Sequence, residues 1–598
     1  MTPHAPVQDF RVPSFADNGY TDWVLQGGQG IYDSAAQIRI QAMALRQYSA
    51  DERMALELSI ESPLATFLVD ENRAFSDSRI AIVGPDFSIS GLGWTWSSQS
   101  REDREIQVQQ DTVAHFTQSI ADSLVQQPSS DVSRRTDITS AQLLLRTTAQ
   151  KYDFTFIDQV HVISGEMDLR ANQLQVLADA QQGKGASTPG LVAPGVEAVQ
   201  RILAIDSVVI KQGDRLLSAE RAELFPRQQR SELLGAVRVE LPDVVLSGAE
   251  MQCRAGELVL TGTAGKARAQ MILSGSGGLG LEGRSGLTQQ TLVRADSIIL
   301  RELACEHFFD FSGSVEVESG VIQLTADRMT IQAPRDTAGA SLLSSSQAAF
   351  AIGAVSRVWA EGQVQIHQLG QVARGDEVTF YPAEERAVLV GNARLVRDQA
   401  DVSGQQMDLQ LSRAIVTGDT EQAVRVRLAP LADLGYRSKL PELEPSAALE
   451  TVPLQNTELS CLRLQMMTEA ERTVFRFTES VVLAATNLDL SCERMDVWTG
   501  KVSSSEPALE VQRIEAFDQV EIIQGTRVAT SDAAYIWPIS GQGKVVLEGN
   551  SVVADTDGRV SGYRMTLLEG ERRAIVETGG AERPRNTVTL PSLQLPER

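Results

Sequence analysis

The sequence predicts an all-β protein, an elongated array of units built from antiparallel strands. Three observations predict it. Period-2 alternation of apolar and polar residues runs through nearly the whole chain, and helical periodicity is scarce. Gly, Asp and Asn punctuate the alternation at turn-like intervals. The same long pattern also occurs three times in one order, the signature of a repeat architecture.

The alternation is plain in VQIHQ at 364–368, VRVEL at 237–241 and EIQVQQ at 105–110. A chain of 598 residues is too long for one ordinary domain. Its 42% hydrophobic content suffices for real cores, and with aromatics at only 5% those cores are expected to be mostly aliphatic. Lys and Arg number 54 against 78 Asp and Glu, a net charge of −24. An acidic chain repels phosphate backbones, so nucleic acid is not an expected partner. The charges are spread along the sequence, as strands with one solvated face require.

Three 29-residue segments align without a gap: 151–179, 306–334 and 472–500. Phe156, Phe311 and Phe477 coincide, as do Val160, Val315 and Val481. Each segment precedes a longer repeated stretch, at 202–262, 358–418 and 514–579. There Gly235, Gly391 and Gly549 match, and Met251, Met407 and Met565 recur in step. Three units follow: 140–263, 292–419 and 458–580. Residues 15–121 form a fourth, divergent unit, with strand signals at WVLQ, IRIQ, LELSIES, RIAIVG, FSISG, WTWSS and EIQVQQ. The Gly-, Pro- or Glu-rich stretches 180–197, 264–290 and 430–457 read as loops or linkers.

Successive side chains of a strand point to opposite faces. Val364 and Ile366 therefore share one face, and Gln363, Gln365 and His367 the other. A sheet with one apolar face must cover it, either by folding into two facing layers or by stacking rungs. Glycines are expected where strands turn, and Gly391-Asn392 and Gly549-Asn550 look like such corners. If the layers splay on one side, the interior is a greasy slot suited to acyl chains; if not, it is a closed core.

Other signals are weak. Cys253, Cys305, Cys461 and Cys492 form no CxxC pair and read as structural thiols, with a Cys461–Cys492 disulfide left open. The five His are scattered, with no metal-ligand spacing, and no Ser/His/Asp or Cys/His set repeats. The Glu384-Glu385 pair reads as a solvated turn. GSGGLG at 275–280 lacks a helix behind it and reads as a loop rather than a dinucleotide site. No catalytic residue, metal or cofactor is expected. The start, MTPHAPVQDFRVPSF, lacks the charged and apolar regions of a signal peptide, and no 18-residue apolar run exists.

The order VWAEGQVQI, a polar turn, ARGDEVTFYPAEERAVLVGNARLV, then VSGQQMDLQL resembles the OstA-like family. That family comprises the periplasmic lipopolysaccharide-transport proteins A and C and the N-terminal part of transport protein D. The resemblance spans about 440 residues, 140 to 580. GYTDWVLQGGQGIYD at 19–33 and ISGLGWTWSSQSREDREIQVQQDTVAHF at 89–116 resemble the first strand pair and the last strands of the C-type member.

The resemblance implies a β-jellyroll of antiparallel strands, units joined edge to edge into a periplasmic bridge, and acyl chains carried inside without covalent chemistry. The implied partners are lipopolysaccharide or another acyl-chain lipid, and other transport components paired at sheet edges. By position, the implied groove residues are Phe156, Val160, Val208, Ile210, Phe311 and Val315, followed by Val364, Ile366, Phe477, Val481, Val520 and Ile522. The competing expectation is a structural β-repeat protein of the cell envelope with a closed core.

Overall fold

The computed structural model describes residues 6–100, 103–117, 135–148, 151–165, 167–179, 199–242, 244–254, 256–263, 267–274, 290–303, 306–334, 355–368, 370–397, 400–410, 413–428, 457–468, 472–485, 488–503, 506–537, 543–556, 558–568, 574–577 and 585–588. Among these the chain is almost entirely antiparallel strand, with no α-helix and two short 3-10 turns, Pro226–Gln228 and Pro382–Glu384. Loop stretch 180–197, the GSGGLG segment and Cys305 lie outside the described residues.

Two units are distinguished. The first comprises Met1–Gly277, Thr288–Gly313 and Gln332–Ala354; the second comprises Gly278–Leu287, Ser314–Ile331 and Val355–Arg598.

The first unit opens with seven strands, from Val7–Phe15 to Asp103–Phe116. Here the sequence reading divides strands too finely. Residues 19–33 form one strand, Thr21–Ser34, rather than a pair, and FSISG and WTWSS are halves of Phe87–Ser100. The repeated 29-residue segment 151–179 becomes the hairpin of Lys151–Ser164 with Met167–Asp179. Val199–Gln212, Arg215–Phe225, Arg230–Glu240 and Val244–Arg254 follow in antiparallel order.

In the second unit Arg357–Gln368, Gln371–Tyr381, Arg386–Arg397 and Ala400–Gln410 pair in the same sequence. So do the six strands from Arg472–Ala485 to Gly558–Leu568.

What bends these long strands is an extra residue in the middle of every second one. In Lys151–Ser164, Ile157 faces Gln173 and Val160 faces Ala171, three steps against two. The bulge is a pair of consecutive left-handed residues, Asp158 and Gln159. The device recurs as Asp206-Ser207, Gly235-Ala236, Gly362-Gln363, Gly391-Asn392, Glu479-Ser480, Asp518-Gln519 and Gly549-Asn550.

The expected corners are thus real in φ, +73° at both Gly391 and Gly549, but they lie inside strands rather than between them. A Cβ at Gly391 would stand 2.4 Å from Asp376 Oδ2, so only glycine admits both the left-handed backbone and its neighbour. Asn392 Nδ2 donates to the same carboxylate at 3.0 Å, and Asn550 does likewise to Asp532.

Between copies the strands shorten and split. Val244–Arg254 pairs with Glu257–Thr261 along one half and Ala269–Leu273 along the other. These continue onto Ser297–Glu302 and Thr291–Ala295. Ala400–Gln410 repeats the arrangement through Arg413–Thr417 and Val424–Leu428. The stretch 264–290 is therefore not all loop. Ala269, Met271 and Leu273 alternate inward in a strand too short, and too close to glycines, to stand out in sequence.

At the outer face, the start of one bent strand in each copy, Arg230–Glu240, Arg386–Arg397 and Lys544–Asp555, carries a cation over an aromatic ring. Arg230 lies 4.4 Å from the Phe225 centroid, Arg386 5.6 Å from Tyr381, and Lys544 5.3 Å from Trp537.

Candidate functional site

The apolar interior is built by alternation on both halves of the bent strands. In Lys151–Ser164, Phe154 and Phe156 point inward before the bulge; Val160 and Val162 point inward after it. The bulge adds one residue, which keeps the apolar set facing the same interior after the bend. Small residues stand opposite the valines at the crease: Ala171 opposite Val160, Ala219 opposite Val208, Gly375 opposite Val364 and Ser531 opposite Val520.

Ten of the twelve residues singled out from sequence are buried: Phe156, Val160, Val208, Phe311, Val315, Val364, Phe477, Val481, Val520 and Ile522. Ile210 and Ile366 are half-buried. The three phenylalanines are equivalent in register, each beside an aliphatic residue of a short strand: Phe156 by Leu143, Phe311 by Ile298 and Phe477 by Leu464. Met251, Met407 and Met565 are buried.

In the third copy the two halves of the strands face one another across a recess of about 510 Å³, counting the solvent space at its mouth. Leu488, Ile522, Gln524, Arg527 and Ala529 line it from the half on one side of the crease; Ile536, Val545, Leu547 and Leu567 line it from the other. Ile522 is the one residue of the twelve that lines it. Ile536, Val545, Leu547 and Leu567 were not singled out, although the two-residue phase of their strands places them inward.

Gln524 and Arg527 close a hairpin, paired in register. Gln524 follows Ile522 by two and Arg527 precedes Ala529 by two, so both continue the inward face to the lip of the recess. Arg527 Nη2 reaches Asp555 Oδ2 at 3.2 Å. Asp555 also accepts from the Thr556 backbone N–H at 2.6 Å, from Thr556 Oγ1 at 3.1 Å and from Thr526 Oγ1 at 3.2 Å. These donors hold its carboxyl below the ordinary carboxylate value, the Thr556 N–H contributing most.

The thiols are structural in geometry. Cys492 pairs with Val481 on one side of the strand Arg472–Ala485, and Cys461 follows Ser460, which pairs with Val482 on the other side. A whole strand stands between the two cysteines, roughly 9.5 Å at ordinary strand spacing, beyond the ~7 Å reach of a disulfide. The open Cys461–Cys492 bridge is therefore excluded, and Cys253, Cys461 and Cys492 are free. Burial pushes the Cys461 and Cys492 thiols up to about 12.

His161 lies on the polar face beside Asp168 at 3.0 Å, and His367 is exposed. Glu384 and Glu385 sit in a turn, where Arg386 contacts Glu384 at 3.4 Å. Among the described residues no group of three or more His, Cys, Asp and Glu could hold a metal ion, and no helix is long and apolar enough to cross a membrane.

Two segments, residues 137–257 and 292–414, match the family described as LptA/(LptD N-terminal domain) LPS transport protein. Both lie in the first two of the three copies. No curated protein matches the chain. Over these two segments the chain is similar to the OstA-like family of lipopolysaccharide-transport proteins.

Proposed function

We propose that the chain is a non-catalytic periplasmic carrier. Its bent strands hold the acyl chains of lipopolysaccharide or a similar lipid, and its successive units form a bridge between the inner and outer membranes. In this reading the chain is one C-type unit over 15–121 followed by three A-like units, joined to other transport components by pairing at sheet edges. The observation that carries the reading is the recess of the third copy, where both halves of the bent strands present aliphatic side chains to a space open to solvent. Burying acyl chains there is favourable by roughly 0.8 kcal/mol per CH₂. The similarity of residues 137–257 and 292–414 to a transport family supports it.

A specific observation favours a second reading, a structural envelope protein with a closed core. Phe156, Val208, Val315 and Val481 are all 0% exposed, as in an ordinary sealed interior.

Photocrosslinking separates the two. A benzophenone side chain at Val364, Ile366 or Ile522 is expected to capture lipid, and one at Gln365 is not. Equal capture at all four positions, or a protein that carries no lipid in native mass spectrometry of material from its own envelope, decides for the closed core.

A further inference from the structure

The inward face ends the same way in all three copies. The pairs that close the lip hairpins are Gln212 with Arg215, Gln368 with Gln371, and Gln524 with Arg527. Each glutamine stands 156 residues from the next. Behind each, the inward positions are apolar: Ile210, Ile366 and Ile522. The aliphatic interior thus stops at a polar collar of fixed depth, with a guanidinium in the first and third copies and an uncharged amide in the second.

The two guanidiniums are held differently. Arg215 interacts with the carboxylate of Glu302. Arg527 makes one contact with Asp555 at 3.2 Å. Asp555 keeps three other hydrogen-bond contacts, from Thr556 and Thr526, so it is not stranded if Arg527 turns away. Arg386 shows the opposite case, gripping Asp408 through Nε at 2.9 Å and Nη2 at 2.7 Å. A guanidinium carries five donors in a planar fork that suits carboxylate and phosphate oxygens. On a chain of net charge −24, an anion is drawn to such a point only locally.

We propose that the third-copy recess is a binding site for a single-chain amphiphile with an anionic headgroup. The chain lies against Ile522, Ile536, Val545, Leu547 and Leu567, and the headgroup sits on the Arg527 guanidinium, with the Gln524 amide donating beside it. This site orients its guest, acyl chain inward and charge at the lip. It rests on the carrier reading and adds to it which copy reads charge and through which residue.

The test is calorimetric titration of the full chain with dodecanoate, dodecyl phosphate and the uncharged glycerol monoester of dodecanoic acid. Both anions are expected to bind about tenfold more tightly than the ester, the size of one charge-assisted hydrogen bond. Arg527→Gln removes that preference and leaves ester affinity intact, Arg527→Lys retains part of it, and Arg215→Gln leaves it unchanged. Leu567→Trp, at a half-buried lining position, weakens all three ligands.

A preference confined to dodecyl phosphate assigns the lip to phosphate, and one confined to dodecanoate to carboxylate. Equal affinity for ester and anions in the unaltered chain, or a preference that survives Arg527→Gln, overturns the charged site and spares the carrier reading. Failure of all three ligands to bind overturns both.

Discussion

The interior of the N-terminal strands and that of the third copy start from the same alternating pattern and end differently. In the N-terminal strands Trp23, Phe67 and Trp96 meet between facing halves, with ring centroids 6.0 to 6.4 Å apart. Arg104, 4% exposed, pairs with Asp22 at the same end. In the third copy the corresponding space is lined by Ile, Leu, Val and Ala, and its lip carries Gln524 and Arg527. Aromatic rings fill a gap that aliphatic side chains of the same strand length leave open. An aromatic content of 5% concealed this, because Trp23, Phe67 and Trp96 lie far apart in sequence and meet only in the fold, whereas the lining of the third-copy recess is aliphatic.

The contrast can be broken by mutation, beginning with the largest effect. Trp96→Ala should cost ~3–5 kcal/mol, because a fully buried indole leaves a cavity that its neighbours cannot fill. Hydrogen exchange in Phe87–Ser100 and Asp103–Phe116 is the readout; unchanged protection there would mean that the aromatic cluster is not what closes this end. Gly549→Ala should cost ~1–3 kcal/mol through its left-handed backbone, and more through contact with Asp532. Urea unfolding followed by Trp fluorescence measures it, and a neutral result would show that the bulge is not needed for the bend.

Ile522→Ala, which borders the recess, should cost ~2 kcal/mol or less, at the low end for a buried Ile, since one side already faces open space. A loss matching Trp96→Ala would show the third copy to be packed as tightly as the N-terminal strands. Smaller still is the response of Cys461 and Cys492. With their thiols pushed up to about 12, native protein at pH 8 should react with an alkylating reagent at a small fraction of the unfolded rate. Labelling at the unfolded rate would reveal an interior that opens.

Acid separates the two regions most gently, by sign. Burial raises the Asp86 carboxyl above its ordinary 3.8. Its contribution is fully present below that value and is lost as pH rises through the raised one. Asp555 is lowered, so its contribution is present above 3.8 and is lost as pH falls through the lowered value. Asp86→Asn should therefore stabilise the N-terminal strands slightly at pH 7 and not at pH 3, and Asp555→Asn should destabilise the third copy at pH 7 and not at pH 3. Thermal unfolding at the two pH values checks both; matching signs would remove the distinction.

By itself the sequence determined what local chemistry dictates: the all-β class, the recurrence of one 29-residue pattern at 151–179, 306–334 and 472–500, and which face of each strand is apolar. Side chains alternate by geometry alone, so Val160, Val364 and Val520 could be placed inward without coordinates. Tertiary structure decided where each strand bends and what the inward faces enclose. Asp158-Gln159 and Gly391-Asn392 share no residue type, and only their position against a neighbouring strand makes both of them bulges. Arg527 likewise looks like any charged turn residue until the bend carries its strand over the opposite half and sets it at the mouth of a recess.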